Sequence, residues 1–256
     1  MHVSERNRER ENNCASSSAR SQFCAVCDVR ERSICADLST RELEQVQRIM
    51  AHRSAPKGRA ILQEGEPNDA LYIVVSGSFR LTKHLPDGRR QVTGFLFKGD
   101  FCGIMACAAS AYSAEALEDS EVCRFPHAYL DEIARNSPGV KDRLIARGQT
   151  EYHKAQDHIV LLGRKSAEER VASFIEMIGA IASPGNPEAS IIPLSMPRQD
   201  IADYLGLRLE TLSRTLAMLK EKGALAEISR RRLVKTPGAD AIIASLGSAG
   251  GKPENF

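Results

Sequence analysis

Apolar and polar positions alternate along this chain in three successive patterns. In "LSTRELEQVQRIM" (38–50), Leu43, Val46, Ile49 and Met50 recur at helical spacing behind a Ser/Thr start and first-turn acids, which predicts a short amphipathic helix. From Ala60 to about Pro126 the period shortens. There, runs of β-branched and aromatic residues ("AILQEGEPNDALYIVVSGSFRLTKHLPDGRRQVTGFLFKGDFCG") are broken by the corners "GEPND", "PDGR" and "KGD". This predicts a β-roll or jelly-roll barrel with a hairpin at 86–89. Pro138 and Gly139 close the region, and proline-free "VKDRLIARGQTEYHKAQDHIVLLG" (140–163) predicts one long helix over 139–164. Leu144, Gly148, Glu151, Ala155, His158 or Ile159, and Leu162 recur on it every three or four residues. They form a partly polar dimer seam or the stripe of an ordinary domain-capping helix.

The helical period returns at "KSAEERVASFIEMIGAIA" (165–182), opened by a capping box with Ser166 three residues before Glu169. "SPGNPE" ends that helix, and "ASIIPLSM" predicts a short strand. "MPRQDIADYLGLRLETLSRTLAMLKEKGAL" (196–225) then divides around Gly206 into two helices. Pro197 fits the first turn of the first helix, where its missing N–H costs nothing. Ile201, Ala202 and Leu205 give one apolar face, and Leu209, Leu212, Leu216 and Leu219 the other. Ala202 is small where the helices cross, and Gly206 permits a left-handed turn. This is a helix-turn-helix layout, with Arg208, Glu210, Thr211, Ser213 and Arg214 outward on the second helix, placed to reach base edges. "ALAEISRRRLVK" (224–235) predicts a two-stranded wing whose bend carries Arg230, Arg231 and Arg232 toward phosphate.

Charge changes this picture locally. The whole chain of 256 residues has a formal charge of only +2, but between 195 and 236 nine Lys/Arg face five acids, a local excess of four. The length and 42% hydrophobic content suit more than one core. The polar, basic first 22 residues predict a disordered lead-in, and no apolar run approaches a membrane span, so the expected location is the cytosol. G-x-S-x-G, H-E-x-x-H and Walker-type runs are missing, which argues against an enzyme.

Seven cysteines, an odd number, fit reduced thiols better than a disulfide framework. Cys24, Cys27 and Cys35 have C-x2-C-x7-C spacing, and with one remote ligand they suit a tetrahedral zinc or a [4Fe–4S] cluster equally. A thiol enzyme using Cys24 and Cys27 would need a βαβ context, and none is visible. Cys102 and Cys107 are expected as buried small hydrophobes and Cys14 as a spectator. His2, His52, His84, His127, His153 and His158 are too scattered to be ligands.

"GEPNDALYIVVSG", "AEERVASFI" and "LETLSR" carry a resemblance, covering Cys24 to about Leu246, to the cAMP-receptor/FNR superfamily of bacterial transcription regulators. With Leu209 before Glu210, where the cAMP-receptor branch has arginine, the chain is most similar to the oxygen-sensing FNR branch. The resemblance implies an α+β fold: a cyclic-nucleotide-binding-like jelly roll (38–138), a dimerisation helix (139–164) and a winged helix-turn-helix (165–248). The cysteine-rich lead-in (1–37) and a disordered tail (249–256) flank them. It implies that Arg214 pairs with guanine, Glu210 accepts from cytosine and Ser213 contacts a neighbouring base or phosphate, in a TTGAT-type palindrome.

The resemblance also bears on the signal. Cyclic-nucleotide binders hold the phosphate with an Arg-Ser or Arg-Thr pair, whereas this chain has no basic residue between Phe101 and Val122, which argues against cyclic AMP. It implies instead a [4Fe–4S] cluster on Cys24, Cys27, Cys35 and, in "SEVCRFP", Cys123. The seven-residue gap before Cys35 exceeds the five of the enteric type. Ile34 either packs or shields the cluster. Oxygen would destroy the cluster, release the cysteine loop and weaken the homodimer and its DNA binding. Double-stranded DNA and RNA polymerase are the implied partners, with no membrane.

Overall fold

The computed structural model describes residues 24, 27–36, 38–104, 107–182, 191–229, 232–236, 238–239 and 241–242. Cys14, Arg230, Arg231, the loop 183–188 and the predicted tail lie outside the described residues.

A 3-10 turn at Arg30–Arg32 follows the first thiols and leads to α1, Thr40–Ile49. Ser39 and Glu42 form a capping box at the Ser/Thr start read from the sequence: the Ser39 hydroxyl accepts from the Glu42 amide at 3.3 Å, and Glu42 accepts from the Ser39 amide at 2.8 Å. Eight strands follow: β1 (Ala51–Ala55), β2 (Ala60–Leu62), β3 (Ala70–Ser76), β4 (Phe79–His84), β5 (Arg90–Leu96), β6 (Phe101–Cys102), β7 (Ser113–Ala116) and β8 (Ser120–Pro126). They pair into two four-stranded antiparallel sheets, ordered β1-β8-β3-β6 and β2-β7-β4-β5, which is the expected jelly roll. The hairpin falls between β4 and β5, where Gly88 takes φ +85°. One difference is β1: "AHRSA" has no strand-type pattern, and it is extended because it pairs with β8, His52 opposite Cys123.

A helix absent from the sequence reading, α2 (His127–Asn136), then packs beside α3, Pro138–Arg164. The long helix forms as expected, but its outward face coincides with the expected seam only in part, at Ala155 and Ile159. Leu144 packs toward the roll and Leu162 toward the reader, and His158 stacks on Tyr204. The exposed apolar stripe is Ile145, Tyr152 and Ile159, spaced by heptads. Side chains already packed inside a chain are not free for a partner.

α4 (Ala167–Ala182) opens on the predicted Ser166–Glu169 capping box. β9 (Ile191–Pro193) precedes α5 (Arg198–Leu205) and α6 (Leu209–Glu221), and β10 (Leu225–Ser229) and β11 (Arg232–Lys235) complete the reader. The wing has three strands, β10-β11-β9, because the short strand before α5 adds to it. Pro197 caps α5 one position before the first turn. The reader's core runs on into the roll: Val92, Phe95 and Leu117 join Phe174, Ile201, Tyr204 and Leu216 in one cluster. No helix among the described residues is long and apolar enough to cross a membrane.

Candidate functional site

The cysteine loop folds over the end of the β1-β8-β3 sheet. Cys123 lies mid-strand in β8, opposite His52 of β1 and Ile73 of β3, with its side chain buried beneath the loop. Cys24, Cys27 and Cys35 come down from the loop, so all four thiols line a single pocket. Leu43, Val46 and Met50 of the α1 region and Ile73 and Phe125 of the sheet supply its apolar walls. Ile34 is fully buried in the same cluster but does not line the pocket, which favours its packing role.

Burial pushes the thiols of Cys24 and Cys123 up from their ordinary range, and that of Cys35 up to about 11, with the neighbouring thiols adding to the effect. Arg30, also in the pocket lining, acts the other way on Cys24 and Cys35. Burial of this kind keeps the thiols protonated unless a cationic centre takes them as thiolates, and the same cause pushes up the buried thiol of Cys102. Among the described residues, no group of three or more His, Cys, Asp or Glu side chains is arranged to hold a single metal ion.

Three residues that the spacing did not single out shape the loop. The Ser33 hydroxyl donates to the Arg30 carbonyl at 2.9 Å and accepts from the Cys35 amide at 3.1 Å, fixing the approach of Cys35. Arg147 of α3 donates to the Arg32 carbonyl at 2.7 Å while its guanidinium lies 4.7 Å from the centre of the Phe101 ring. Lys98 pairs with Asp28 at the loop's other edge. The loop therefore rests on the long helix directly.

The remaining thiols separate. Cys102 is buried as expected, whereas Cys107 is exposed, contrary to the sequence reading, because it follows the short edge strand β6 and makes only an isolated bridge with Asn68. Of the histidines read as non-ligands, His127 is buried beside Asn68, and burial lowers its pKa.

The reader presents the second site. Gly206 takes φ +60° between α5 and α6, and Leu212, Thr215, Leu216 and Leu219 bury the inner stripe of α6. Leu209 does not join that stripe; at 38% exposed it stands at the start of the helix, where no facing side chain covers it. Glu210, Ser213 and Arg214 are exposed, and no hydrogen bond or ion pair with other described residues holds them. Thr211 is half-buried, and Arg208 sits exposed at the N-cap rather than on the helix face. Of the three expected wing arginines only Arg232 is described, and it is exposed; Arg231 lies outside the described residues. An exposed acid, hydroxyl and guanidinium one turn apart on a helix that protrudes from its core suit major-groove reading.

Comparisons with known proteins agree with this architecture. Residues 52–137 match the cyclic nucleotide-binding domain family, and residues 169–239 match the Crp-like helix-turn-helix domain. The nitrogen fixation regulation protein FixK of Bradyrhizobium diazoefficiens is 37% identical over 80% of this chain and 87% of its own. The transcriptional activator protein FnrL of Cereibacter sphaeroides is 33% identical over 83% of this chain and 88% of its own. The structure of FixK2 from Bradyrhizobium japonicum superposes with a TM-score of 0.71 at 34% identity, covering 80% of this chain and 99% of that one. With a sensor roll, a long helix and an exposed reading helix in the order of these relatives, the chain belongs to the Crp/FNR family of transcription regulators, which bind DNA as dimers, and is not an enzyme.

Proposed function

We propose that this regulator is an oxygen-responsive member of the FNR type, in which Cys24, Cys27, Cys35 and Cys123 hold a [4Fe–4S] cluster. The observation that carries the reading is the convergence of those four thiols, from both ends of the sensor region, on one apolar pocket. The spacing of the thiols suits a tetrahedral zinc as well as a cluster, and it is the resemblance of the surrounding motifs to the FNR type that favours the cluster. When bound, a cluster of this kind supplies an oxygen-labile iron–sulfide centre.

The chain's own residues then connect the pocket to DNA. Val29, Ile34 and Leu38 seat the cysteine loop, and Arg147 ties it to α3, whose exposed stripe faces a second copy. Glu210, Ser213 and Arg214 read a TTGAT-like half-site, with Arg208, Thr211 and Arg231 contributing to the contact with DNA. The dimer works in the cytoplasm alongside RNA polymerase. The roll's segment between Phe101 and Val122, without a single Lys or Arg, supports a signal other than a cyclic nucleotide.

The test is iron and sulfide analysis of protein purified without air, wild type against Cys123→Ser, with sedimentation and operator binding measured in parallel. Wild type should hold about four iron per chain, bleach in air, dissociate and leave a TTGAT palindrome, and the variant should lack iron throughout. Zinc in place of iron, or iron-free protein that remains a tight dimer on its operator, overturns the reading.

A further inference from the structure

The first helix of the helix-turn-helix, α5, packs against the roll and is tethered to it by several side chains. Asp200, in its first turn and 1% exposed, accepts from Arg80 of β4 through both carboxylate oxygens at 3.0 and 2.8 Å, and also from Arg90 of β5. Arg80 bonds Glu115 of β7 with its other terminal nitrogen at 2.8 Å, so its guanidinium bridges roll and reader. Arg90 Nε reaches Asp203 at 2.8 Å, and Gln91 donates to the Asp203 carbonyl at 2.7 Å. On the opposite side His158 of α3 stacks on Tyr204 with ring centres 4.3 Å apart and contacts the Tyr204 carbonyl at 2.8 Å. Arg170 donates to the carbonyls of Leu205 and Leu162 at 3.0 and 2.7 Å, joining the ends of α5 and α3.

Such a network exceeds what anchoring a small domain requires, because Phe95 already packs into the reader's core. Planar guanidinium groups that each bridge two carboxylates, Arg80 between Asp200 and Glu115 and Arg90 between Asp200 and Asp203, fix direction as well as distance, which apolar contacts do not. α5 and α6 share Ala202, Leu205, Leu212 and Leu216 in one cluster, so the angle of α5 to the roll is also the angle of the reading helix. In a dimer, two such angles define the distance between reading helices.

We infer that Arg80 and Arg90 are positioning residues for DNA reading: from the sensor roll they hold α5 at one angle and thereby set the half-site separation that the dimer accepts. The inference rests on family membership and dimeric DNA binding, and it is independent of what the thiol pocket holds.

The test uses the full-length protein purified without air. Half-sites are first selected by the wild type from a randomised duplex pool. Binding is then measured to two inverted copies at the selected separation, to copies a few base pairs closer or farther, and to a single copy. Wild type should show a sharp optimum of separation. Arg80→Gln combined with Arg90→Gln should lose about tenfold at that optimum, in the range of site-to-site couplings, with a flattened profile and unchanged single-copy binding. Arg80→Lys, which keeps the charge on Asp200, should retain part of the optimum. A wild-type profile that is already flat, a double variant that keeps the wild-type profile, an equal loss on the single copy, or tighter binding by the variant each overturns the inference.

Discussion

Two acids on adjacent helices of the reader have opposite environments. Asp200 is enclosed by two arginines from another domain, whereas Glu210 projects from α6 with no partner among the described residues. Both belong to "RQDIADYLGLRLE", and nothing in that stretch separates them except the period of the helix, which puts Glu210 on the outward face. The outward place of Glu210 was therefore legible, and the tether on Asp200 was not, since its partners lie more than a hundred positions away. Glu210→Ala should leave the fold intact and relax discrimination at one base pair by about 1–3 kcal/mol. Competition binding with operators substituted base by base would measure it, and equal weakening on all of them would contradict the assignment.

At the scale of elements, each helix forms for local reasons but is placed by its neighbours. The capping boxes of α1 and α4 and the α5–α6 turn are all local signals, and all appear in the structure. Gly206 shows how a local signal meets a tertiary one. Its φ of +60° disfavours any side chain, and an added Cβ would stand 3.1 Å from Leu162 Cδ2 of the long helix. Gly206→Ala should cost about 1–2 kcal/mol from backbone strain alone, read by thermal denaturation.

His158 supplies a second test at the same junction. Burial holds its pKa below the ordinary 6.5, and the Tyr204 carbonyl opposes this only in part. A depressed folded pKa means that the stacked, neutral ring stabilises the fold fully above pH 6.5, and that this contribution is lost as pH falls through the folded value. His127 is shifted the same way. Melting temperature should therefore decline from pH 7 toward pH 5, and His158→Gln should make the decline shallower. An identical slope in the variant would exclude His158 as a contributor. By contrast β1 and α2 escaped the sequence reading because "AHRSA" is extended only by its pairing with β8, and α2 carries no capping signal that its own residues supply.

For the whole molecule, the question is which surface meets a second copy. Ile145, Tyr152 and Ile159 recur by sevens on α3, and Ile159 is 71% exposed, an arrangement that suits the partner helix of the dimer. Ile159→Glu should forfeit about 2 kcal/mol per subunit of apolar burial and add like-charge repulsion across the seam. Sedimentation should then show monomer, and affinity for a palindrome should drop toward that for one half-site while the circular dichroism spectrum is retained. A variant that still sediments as a dimer would move the seam elsewhere.

By itself the sequence determined most of the elements: a roll from alternating apolar runs and a reader from helical stripes around one glycine. These follow from forces that act over a few residues, such as hydrophobic period, capping and turn geometry. Only the tertiary structure decided that Cys123 lies beneath the cysteine loop, that Arg147 links this loop to the long helix, and that two roll arginines grip the reader. Those contacts join residues far apart along the chain, and their strength comes from burial and orientation that exist only once the separate layers have packed.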